Sequence, residues 1–584
     1  MKILFTRLLR PVTPTWLWVL LLVLAAAAGR AQTPTWQSAM MVGGSNTNLL
    51  IKATAASASG DLYVAGSFSN FVTIGNTTLQ SLGGTDGFVA KWSPVANDFV
   101  WARSLGGSDL DQVTAVALNG NQVYLAGTFF SPSAGFGSIN ISNASGYSTV
   151  STDAFVAKLT DAGNTASFNW AQQLGGTGQD AATALVANGN SVYVGGQFAS
   201  STASFGSVSL TNSTASPTFA DGFIAKLVDG GTSTSVSWAQ AITGPAAKAV
   251  NALAVSGANV YATGSFGGLL VNFGGSSLPN AGGTANAYVA KIADAGTSST
   301  WQWALQAGGA GRDVGQALAV RANRVYVAGS FTSTTMPLGN LSIANADAGG
   351  TSDAFLAAVA DGGSTAAWQW AQPAGGIAND QATVLTTYGT SGLYLAGSFT
   401  SSAITLGGAS FANTSGSALV ASLADIGPTA TANWVQHGGT PASADAACLA
   451  LAGARLYVAG SFQRTATFGS QTLTSTVAGA TNFLATLTDA TVTATAAPSR
   501  SFTFELAPNP ARATTSVQLP VVPGATSATL MLTDALGRTL RTEAVTLPAA
   551  GRRHELNLRN LAPGLYLVQV SAGNSVGTQR LVVE

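Results

Sequence analysis

The stretch "LYVAGSF" at residues 62–68 decides the fold, because nearly the same seven letters return six more times along the chain. Leu, Tyr, Val and Phe suit a pleated strand, while Gly and Ser mark its end. The further copies are "VYLAGTF" at 123–129, "VYVGGQF" at 192–198, "VYATGSF" at 260–266, "VYVAGSF" at 325–331, "LYLAGSF" at 393–399 and "LYVAGSF" at 456–462. A strand that recurs at intervals of 61 to 69 residues predicts a repeat architecture.

The same companions surround each copy. A tryptophan strand and a Gly-rich turn precede it, and a strand such as "DAFVAKL" follows it. The tryptophans are Trp36, Trp101, Trp170, Trp238, Trp303, Trp370 and Trp434. Four strands per unit without helical periodicity predict small antiparallel sheets, which bury both faces by stacking around an axis. We therefore predict an all-β fold, a seven-bladed β-propeller over residues 32–490, in which the Trp36 strand supplies the outer strand of the last blade.

This pattern of Trp, Gly-Gly, Asp and "VYVAGSF" resembles the bacterial seven-bladed β-propeller repeat family over residues 34 to 490. The resemblance implies the fold, but that family carries no single activity, so function does not follow from it.

The N-terminus reads as an export signal. A basic lead with Lys2, Arg7 and Arg10 precedes the apolar run "WLWVLLLVLAAAA", and small residues follow it. We predict a signal peptide over residues 1–31, cleaved between Ala31 and Gln32, and no transmembrane segment once it is removed. Only 8% of the residues are charged, with 24 of each sign, so the chain lacks the basic surface that nucleic-acid binding needs.

The C-terminal residues have a different composition. A linker is predicted at 491–500, and residues 501–584 contain short alternating strands that predict a small Ig-like β-sandwich. The segments "APNPA" at 507–511, "DALGR" at 534–538, "LNLRNLAPGLYLVQV" from Leu556 and the final "LVVE" resemble the type A sorting domain of type IX secretion in Bacteroidota. The resemblance implies a secreted or outer-membrane surface attached protein that is handled by the type IX machinery. Its motif positions are Pro508, Asn509, Pro510, Gly537, Arg538, Pro563, Gly564 and Tyr566.

The sequence offers little for catalysis. Residues 1–500 contain no glutamate, so acid-base chemistry in the repeats must use aspartate, and most aspartates recur at equivalent positions, as in "D-A-G" turns. The lone Cys448 reads as a small buried apolar residue, and the isolated His437 reads as a solvated or core-edge histidine. No catalytic, cofactor-binding or metal residues are assigned. Ca²⁺ in oxygen-rich loops is a weaker alternative, because no "DxDxDG" run occurs.

Three functions stay open. The first is a non-catalytic, exported propeller that binds extracellular glycan or protein through Ser-, Thr- and Asn-rich loops at 130–152, 199–220, 267–285 and 332–352. The second is a polysaccharide hydrolase or lyase that uses Asp109 or Asp347, which lie outside the repeated aspartate positions. The third is a structural component of a surface layer or matrix.

Overall fold

The computed structural model describes residues 33–44, 48–146, 151–214, 218–280, 282–413, 417–441, 444–489, 500–501, 504–519, 527–534, 539–548, 551–559, 561–572 and 575–584. The chain divides into two compact units, Met1–Thr493 and Ala494–Glu584. The secondary structure of the described residues consists of strands. These residues form no helix of the length and hydropathy that a membrane crossing requires. The predicted signal peptide, with Ala31 and Gln32, lies outside the described residues.

The strands of the first unit are mostly eight to ten residues long, with pairs of four-residue strands between them. In chain order, the strands up to the middle of the unit are β1 (Trp36–Val42), β2 (Leu49–Ala56), β3 (Leu62–Ile74), β4 (Thr77–Ser93), β5 (Asp98–Leu105), β6 (Asp111–Asn119), β7 (Gln122–Phe129), β8 (Ser133–Phe136), β9 (Ile139–Ser142), β10 (Asp153–Asp161), β11 (Ala166–Gly175), β12 (Asp180–Asn188), β13 (Ser191–Phe198), β14 (Thr202–Phe205), β15 (Val208–Thr211), β16 (Asp221–Asp229), β17 (Thr234–Thr243), β18 (Lys248–Ser256), β19 (Asn259–Phe266), β20 (Leu270–Phe273) and β21 (Ser276–Pro279).

The pattern continues without change to the end of the unit. The remaining strands are β22 (Asn286–Asp294), β23 (Ser299–Ala307), β24 (Asp313–Arg321), β25 (Arg324–Phe331), β26 (Thr335–Leu338), β27 (Leu341–Ala344), β28 (Asp353–Asp361), β29 (Ala366–Ala374), β30 (Asp380–Tyr388), β31 (Gly392–Phe399), β32 (Ala403–Leu406), β33 (Ala409–Ala412), β34 (Ser417–Asp425), β35 (Ala430–Gly438), β36 (Thr440–Pro441), β37 (Ala444–Ala452), β38 (Arg455–Gln463), β39 (Thr465–Phe468), β40 (Gln471–Thr474) and β41 (Ala480–Thr488).

The long strands pair into seven four-stranded antiparallel sheets within the described part of this unit. From the innermost strand outward, we number them sheet 1 (β2, β3, β4, β5), sheet 2 (β6, β7, β10, β11), sheet 3 (β12, β13, β16, β17), sheet 4 (β18, β19, β22, β23), sheet 5 (β24, β25, β28, β29), sheet 6 (β30, β31, β34, β35) and sheet 7 (β37, β38, β41, β1). The innermost strand of each sheet contacts the innermost strand of the next, and β37 of sheet 7 contacts β2 of sheet 1.

The repeated stretch forms the second strand of each sheet. In β7 and β10, the two middle strands of sheet 2, seven consecutive residues are buried, whereas the innermost strand β6 alternates between buried and half-buried residues. The middle strands are covered on both faces by neighbouring sheets. A strand buried on both faces reads as a continuous apolar run, which explains why "VYLAGTF" and its copies lack polar alternation.

The glycine of "AGSF" lies next to a bulge in the neighbouring strand. The register between β6 and β7 shifts between Val113 and Ala115, which leaves Thr114 without a partner across the ladder. A Cβ built on Gly127 would overlap the Gln112 carbonyl oxygen next to this bulge. The same register shift occurs in all seven pairs of first and second strands. Glycine is therefore required where the bulged backbone comes close.

The bulged residues connect neighbouring sheets. The Thr114 hydroxyl of sheet 2 donates a hydrogen bond to the Ala182 carbonyl of sheet 3 at 2.7 Å, and the Thr383 hydroxyl of sheet 6 donates to the Ala446 carbonyl of sheet 7 at 2.7 Å. Six of the seven innermost strands line a central cavity of about 330 Å³. The polar bulge residues therefore provide side-chain hydrogen bonds between sheets around this cavity.

The segments predicted as Ser-, Thr- and Asn-rich loops contain short hairpins. They are β8–β9, β14–β15, β20–β21 and β26–β27, in the places predicted as loops 130–152, 199–220, 267–285 and 332–352. The β14–β15 hairpin pairs with β11, the outermost strand of the preceding sheet, through Leu174 and Phe205. The predicted loops are therefore partly ordered, because each hairpin buries an apolar residue such as Phe205 on a sheet edge and shields that edge.

The strand containing Trp36 pairs in a different register from the one predicted. β1 is the outermost strand of sheet 7, where Ser38 lies opposite Thr486 and Trp36 lies opposite Leu487. In sheet 2, the repeated Trp170 lies opposite Lys158, which is the counterpart of Thr486. Ser38 therefore occupies the position of the repeated tryptophan, and the assignment of Trp36 to that set is wrong by two residues.

The second unit has two sheets around one core. Its strands are β42 (Arg500–Ser501), β43 (Glu505–Ala507), β44 (Thr514–Leu519), β45 (Ser527–Asp534), β46 (Thr539–Thr546), β47 (Arg552–Asn557), β48 (Gly564–Ala572) and β49 (Ser575–Val583). The sheets have the orders β42-β49-β48-β45-β46 and β43-β44-β47. Val517 and Leu556 from the smaller sheet share a buried cluster with Leu530, Val568 and Leu581 from the larger one.

Candidate functional site

Aspartates at the ends of third strands link neighbouring sheets. Asp161, which ends β10 in sheet 2, accepts hydrogen bonds from the Tyr63 hydroxyl at 2.6 Å, the Lys91 ammonium at 2.7 Å and the Trp101 indole at 3.0 Å. It also accepts the backbone N–H of Gly163 in its own turn at 2.9 Å. Because Tyr63, Lys91 and Trp101 all belong to sheet 1, one carboxylate holds three strands of one sheet against the next. We call this arrangement an anchor.

Six junctions between consecutive sheets carry such an anchor within the described residues. The anchor aspartates are Asp161, Asp229, Asp294, Asp361, Asp425 and Asp489. Each accepts a hydrogen bond from the tyrosine of "VYVAGSF" and one from the repeated tryptophan of the preceding sheet. The sequence predicts these aspartates only as turn residues, because their partners lie roughly a full repeat away.

The charge state of the anchor follows from its partners. Burial raises the pKa of Asp161, but the hydrogen bonds from Lys91, Tyr63 and Trp101 outweigh that effect and leave the pKa below its usual value. Burial and the hydrogen bond to Asp161 both raise the pKa of Tyr63. The anchor aspartate is therefore ionised and the tyrosine neutral at neutral pH, which suits a buried structural ion pair.

The cationic member of the anchor changes along the chain. Lysine supplies it in sheets 1 to 4, from Lys91, Lys158, Lys226 and Lys291. In sheet 5 the equivalent residue is Ala358, and the Arg324 guanidinium of the neighbouring strand pairs with Asp425 at 2.6 Å instead. Sheets 6 and 7 carry Ser422 and Thr486 at this position.

The seventh junction, between sheet 7 and sheet 1, lacks the anchor. The residue three places after Lys91 is Pro94, whereas Asp161 stands three places after Lys158. The Tyr457 hydroxyl of sheet 7 donates to the Gly60 carbonyl at 2.6 Å instead of to a carboxylate. The proline has neither the charge nor the hydrogen-bonding capacity of the anchor aspartate, so this junction is held by other contacts.

Two adjacent cavities lie at the seventh junction. The smaller, about 170 Å³, is lined by Gln37, Ser38, Trp92, Pro94, Asn97, Arg455, Thr486 and Thr488. The larger, about 510 Å³, shares Pro94, Arg455 and Thr488 with it and adds Ala58, Ser59, Gly60, Val95, Ala452, Gly453, Ala454 and Tyr457. The space exists because Ser38, Thr486 and Pro94 replace the tryptophan, lysine and aspartate of the anchor. We call these two cavities together the seam site.

A second set of buried carboxylates lies toward the end of the third strand that is opposite to the anchor aspartate. Each of them lies close to a carboxylate of the neighbouring sheet. Asp153 begins β10 and Asp161 ends it. Asp86 and Asp111, from neighbouring sheets, flank Gly106 so closely that a Cβ on this glycine would lie 2.5 Å from Asp86 Oδ1 and 2.8 Å from Asp111 Oδ2. Both aspartates are 1% exposed. We call such a couple an acid pair, and the other members are Asp153 with Asp180 and Asp353 with Asp380.

One partner of each acid pair is fully bonded and the other is not. Asp111 accepts hydrogen bonds from the Gly107 N–H at 2.6 Å and the Ser131 hydroxyl at 2.7 Å, which fixes the turn before β6. Asp86 Oδ1 has no hydrogen-bond partner, as is also true of Asp153 Oδ1 and Asp353 Oδ1. Burial is the main cause that raises the pKa of these three, to about 6, 7 and 6 respectively, and the neighbouring carboxylate adds to it.

Two other junctions replace one aspartate of the acid pair. At the junction of sheets 3 and 4, Lys248 stands in the second position, and its ammonium meets Asp221 Oδ1 at 2.5 Å. At the junction of sheets 4 and 5, Asn286 stands in the first position beside Asp313. At these two junctions a cation or a neutral amide therefore removes the repulsion between two carboxylates that the acid pairs carry.

The aspartates considered for catalysis lie in two different turns outside the strands, and each has structural contacts. The Asp109 backbone N–H donates to the Ser131 hydroxyl at 2.8 Å. Asp347 Oδ1 accepts the N–H groups of Gly349 and Gly350 at 3.1 and 2.9 Å within its own turn, and backbone hydrogen bonds lower its pKa. No group of three or more His, Cys, Asp or Glu side chains suited to a metal occurs within the described ranges.

Cys448 and His437 are both packing residues by their surroundings. Cys448 is 4% exposed in the innermost strand of sheet 7, and burial raises its thiol pKa to about 12. Burial lowers the pKa of His437, whose backbone carbonyl accepts the Trp36 indole N–H at 3.0 Å. The Cys448 thiol is therefore neutral and buried at neutral pH, which does not suit an activated nucleophile.

The motif positions of the second unit fall on two exposed turns. Asn509 donates its amide to the Arg580 carbonyl at 2.6 Å and accepts the Val582 N–H at 2.9 Å, which ties the "PNP" turn to β49. Pro508 and Pro510 flank it and are exposed, as are Pro563 and Gly564 at the start of β48. The Tyr566 hydroxyl donates to the Ala562 carbonyl at 2.7 Å. Gly537 and Arg538 lie outside the described residues.

A family model covers this second unit. Residues 505–584 match the secretion system C-terminal sorting domain. The sorting domain makes this chain a secreted or outer-membrane surface attached protein that is handled by the type IX secretion machinery. The predicted localisation is thereby confirmed.

Comparisons of the whole chain give only distant likenesses. None of the curated proteins matches the sequence. A chain of the mitotic checkpoint complex is 12% identical with a TM-score of 0.38, over 78% of this chain and 95% of that one. The quinohemoprotein alcohol dehydrogenase of Comamonas testosteroni is 8% identical with a TM-score of 0.36, over 81% of this chain and 79% of that one. The description of the fold therefore rests on the strand pairing of the chain itself.

Sequence reasoning missed the seam site, although a signal for it is present. The residues from the anchor lysine position onward read "KLTD", "KLVD", "KIAD", "AVAD", "SLAD" and "TLTD" in six repeats, but "KWSP" at residues 91–94. This single departure marks the junction without an anchor. It is visible only once the repeats are aligned on the third strand instead of on the tryptophan.

Proposed function

We propose that this protein is an exported binding module, built on a closed seven-bladed β-propeller and without catalytic activity of its own. The seven sheets described above are its blades, and β1 completes the seventh blade. Its domains are the signal peptide at 1–31, the propeller at 32–490, the linker at 491–500 and the sorting domain at 501–584. Its ligand class is extracellular glycan or protein.

The observation that carries this proposal is that the repeated aspartates are committed to contacts between sheets. Six of them form anchors and six more form acid pairs, in both cases buried or nearly so. Carboxylates in such positions stabilise a rigid scaffold, and a rigid scaffold suits recognition of a ligand by preorganised groups. Export by the sorting domain places that scaffold where extracellular polymers are available.

Binding and turnover can be separated in one experiment. The secreted full chain is incubated with a panel of bacterial and plant polysaccharides, and both retention on the polymer and release of fragments are measured. Retention without fragments is the expected result. Release of fragments, lost on substitution of Asp109 or Asp347, would replace this proposal by the hydrolase or lyase alternative. Concentration-dependent self-association without retention would favour a structural component.

The role of the sorting domain can be tested in the native host. Deletion of residues 501–584 should leave the protein inside the outer membrane, while the full chain reaches the surface or the medium. A deletion variant that is exported as well as the full chain would contradict the proposed handling by the type IX machinery.

A further inference from the structure

We propose that the seam site binds a saccharide unit that carries a carboxylate, a uronic acid residue, through Arg455. This inference rests on the proposed function as a binding module and names the ligand class and the site. It starts from the internal comparison of the seven junctions, because six of them show what normally fills the space that is open at the seventh.

The junction of sheets 5 and 6 is the template. There Arg324, the first residue of β25, directs its guanidinium to Asp425 at 2.6 Å, and the Tyr326 hydroxyl donates to the same carboxylate at 2.7 Å. Arg455 is the first residue of β38 and holds the equivalent position in sheet 7, two residues before Tyr457. Arginine therefore occupies this position in two sheets. In sheet 5 it has a carboxylate partner, Asp425, whereas in sheet 7 proline stands at the position of that partner.

Arg455 interacts with the Tyr457 hydroxyl, as Arg324 does with Tyr326 in the template, and it lines the open space of the seam site. Its side chain lines both cavities of the seam site together with Pro94 and Thr488, and the residue is exposed. Asp61 of sheet 1 pairs with the Lys91 ammonium at 3.1 Å. A guanidinium offers a planar fork of donors that matches a carboxylate, so a ligand carboxylate can take the place that Asp425 takes in the template.

The rest of the lining suits a sugar more than an acidic peptide. Hydroxyl and amide groups come from Ser38, Asn97, Thr488 and Gln37, while Arg455 is the single cation among the lining residues. Uncharged donors and acceptors pair with sugar hydroxyls, whereas a peptide with several acidic side chains would need several cations. The larger cavity, about 510 Å³, lies within the range of roughly 300–1,000 Å³ of small-molecule sites.

The test measures binding of trigalacturonic acid to the full secreted chain by calorimetry, with the neutral methyl-esterified trisaccharide as the matched ligand. The acid should bind, and R455Q should weaken it roughly 10- to 100-fold, the range for loss of a charge-assisted hydrogen bond. R324Q is the matched protein control and should leave the affinity unchanged. P94D restores the missing carboxylate to the junction and should block binding, since the protein's own Asp would occupy Arg455.

Each outcome decides the assignment. Equal affinity of the acid and its methyl ester, or an R455Q variant that binds as well as the wild type, would overturn it. Failure of the wild type to bind the acid, while a neutral polysaccharide is still retained, would overturn the seam site and leave the proposed binding function intact. Thermal unfolding of each variant shows that the loss of binding does not come from loss of the fold.

Discussion

The dependence of the stability of the first unit on pH should reveal the acid pairs. The pKa of Asp153 is raised from 3.8 to about 7, chiefly by burial and further by the Asp180 carboxylate, while Gln173 and the Ala144 N–H partly counteract this. The folded state therefore holds a proton that the unfolded chain releases near pH 4. Below about pH 4, Asp153 is protonated in both the folded and the unfolded state, and the free energy of unfolding is highest. The free energy of unfolding then falls as the pH rises from about 4 to about 7, and Asp153 causes no further loss at higher pH.

The magnitude follows from the shift. About three pKa units at ~1.4 kcal/mol each give an upper bound of ~4 kcal/mol for Asp153, and ~2 kcal/mol is a reasonable lower figure, because local rearrangement and hydration relieve buried charge. D153N removes the titrating group and keeps the shape, as Asn286 does at the next but one junction. At pH 8 the variant should be more stable than the wild type by ~2–4 kcal/mol, and at pH 4 the two should be nearly equal.

The assay is denaturant unfolding of the full chain between pH 4 and 8.5, at constant ionic strength and with EDTA present so that no divalent cation supplies the counter-charge. N286D is the reverse experiment, because it creates a fourth acid pair beside Asp313 and should add a new loss of stability on the alkaline side. The assignment of a proton to Asp153 in the folded state fails if D153N keeps the pH dependence of the wild type, or if N286D adds none.

Three further predictions test the scaffold. D229A removes an anchor and leaves the buried Lys158 ammonium without its carboxylate, so it should lower the free energy of unfolding by ~3–5 kcal/mol in denaturant unfolding. A smaller loss for the double variant with K158M would show that the unpaired charge is the cause. G127A places a Cβ against the Gln112 carbonyl and should lower the unfolding midpoint; a midpoint equal to that of the wild type would refute the close approach. Cys448, whose thiol pKa is raised to about 12, should react with a maleimide at pH 8 only after denaturation, and modification of the native chain would show that sheet 7 opens.

The strands were predictable because their signals are local. The "VYVAGSF" stretches form strands as expected, and the repeated aspartates in "D-A-G" sequences bond the backbone of their own turns, as Asp161 does with Gly163. Such features depend on residues a few places apart, which composition and spacing report directly.

The register of the first strand and the chemistry between sheets were not predictable in the same way. Ser38 pairs with Thr486, which lies 448 residues later in the chain. The register of two strands so far apart in sequence is not encoded in the local pattern of either strand. The acid pairs likewise join Asp86 to Asp111 from different sheets, so their raised pKa values come from packing that a single repeat does not contain.

The pairing of β1 with β41 has a consequence for how the chain acquires its fold. The earliest strand of the array finds its hydrogen-bonding partner only after nearly all of the other strands exist, so its sequence separation is among the largest in the molecule. Contacts of this kind form late and slowly, because the intervening chain must be ordered first. Until then β41 in sheet 7 presents an unpaired edge. The pairing of β1 with β41 is thus expected to be one of the last steps in the folding of the first unit.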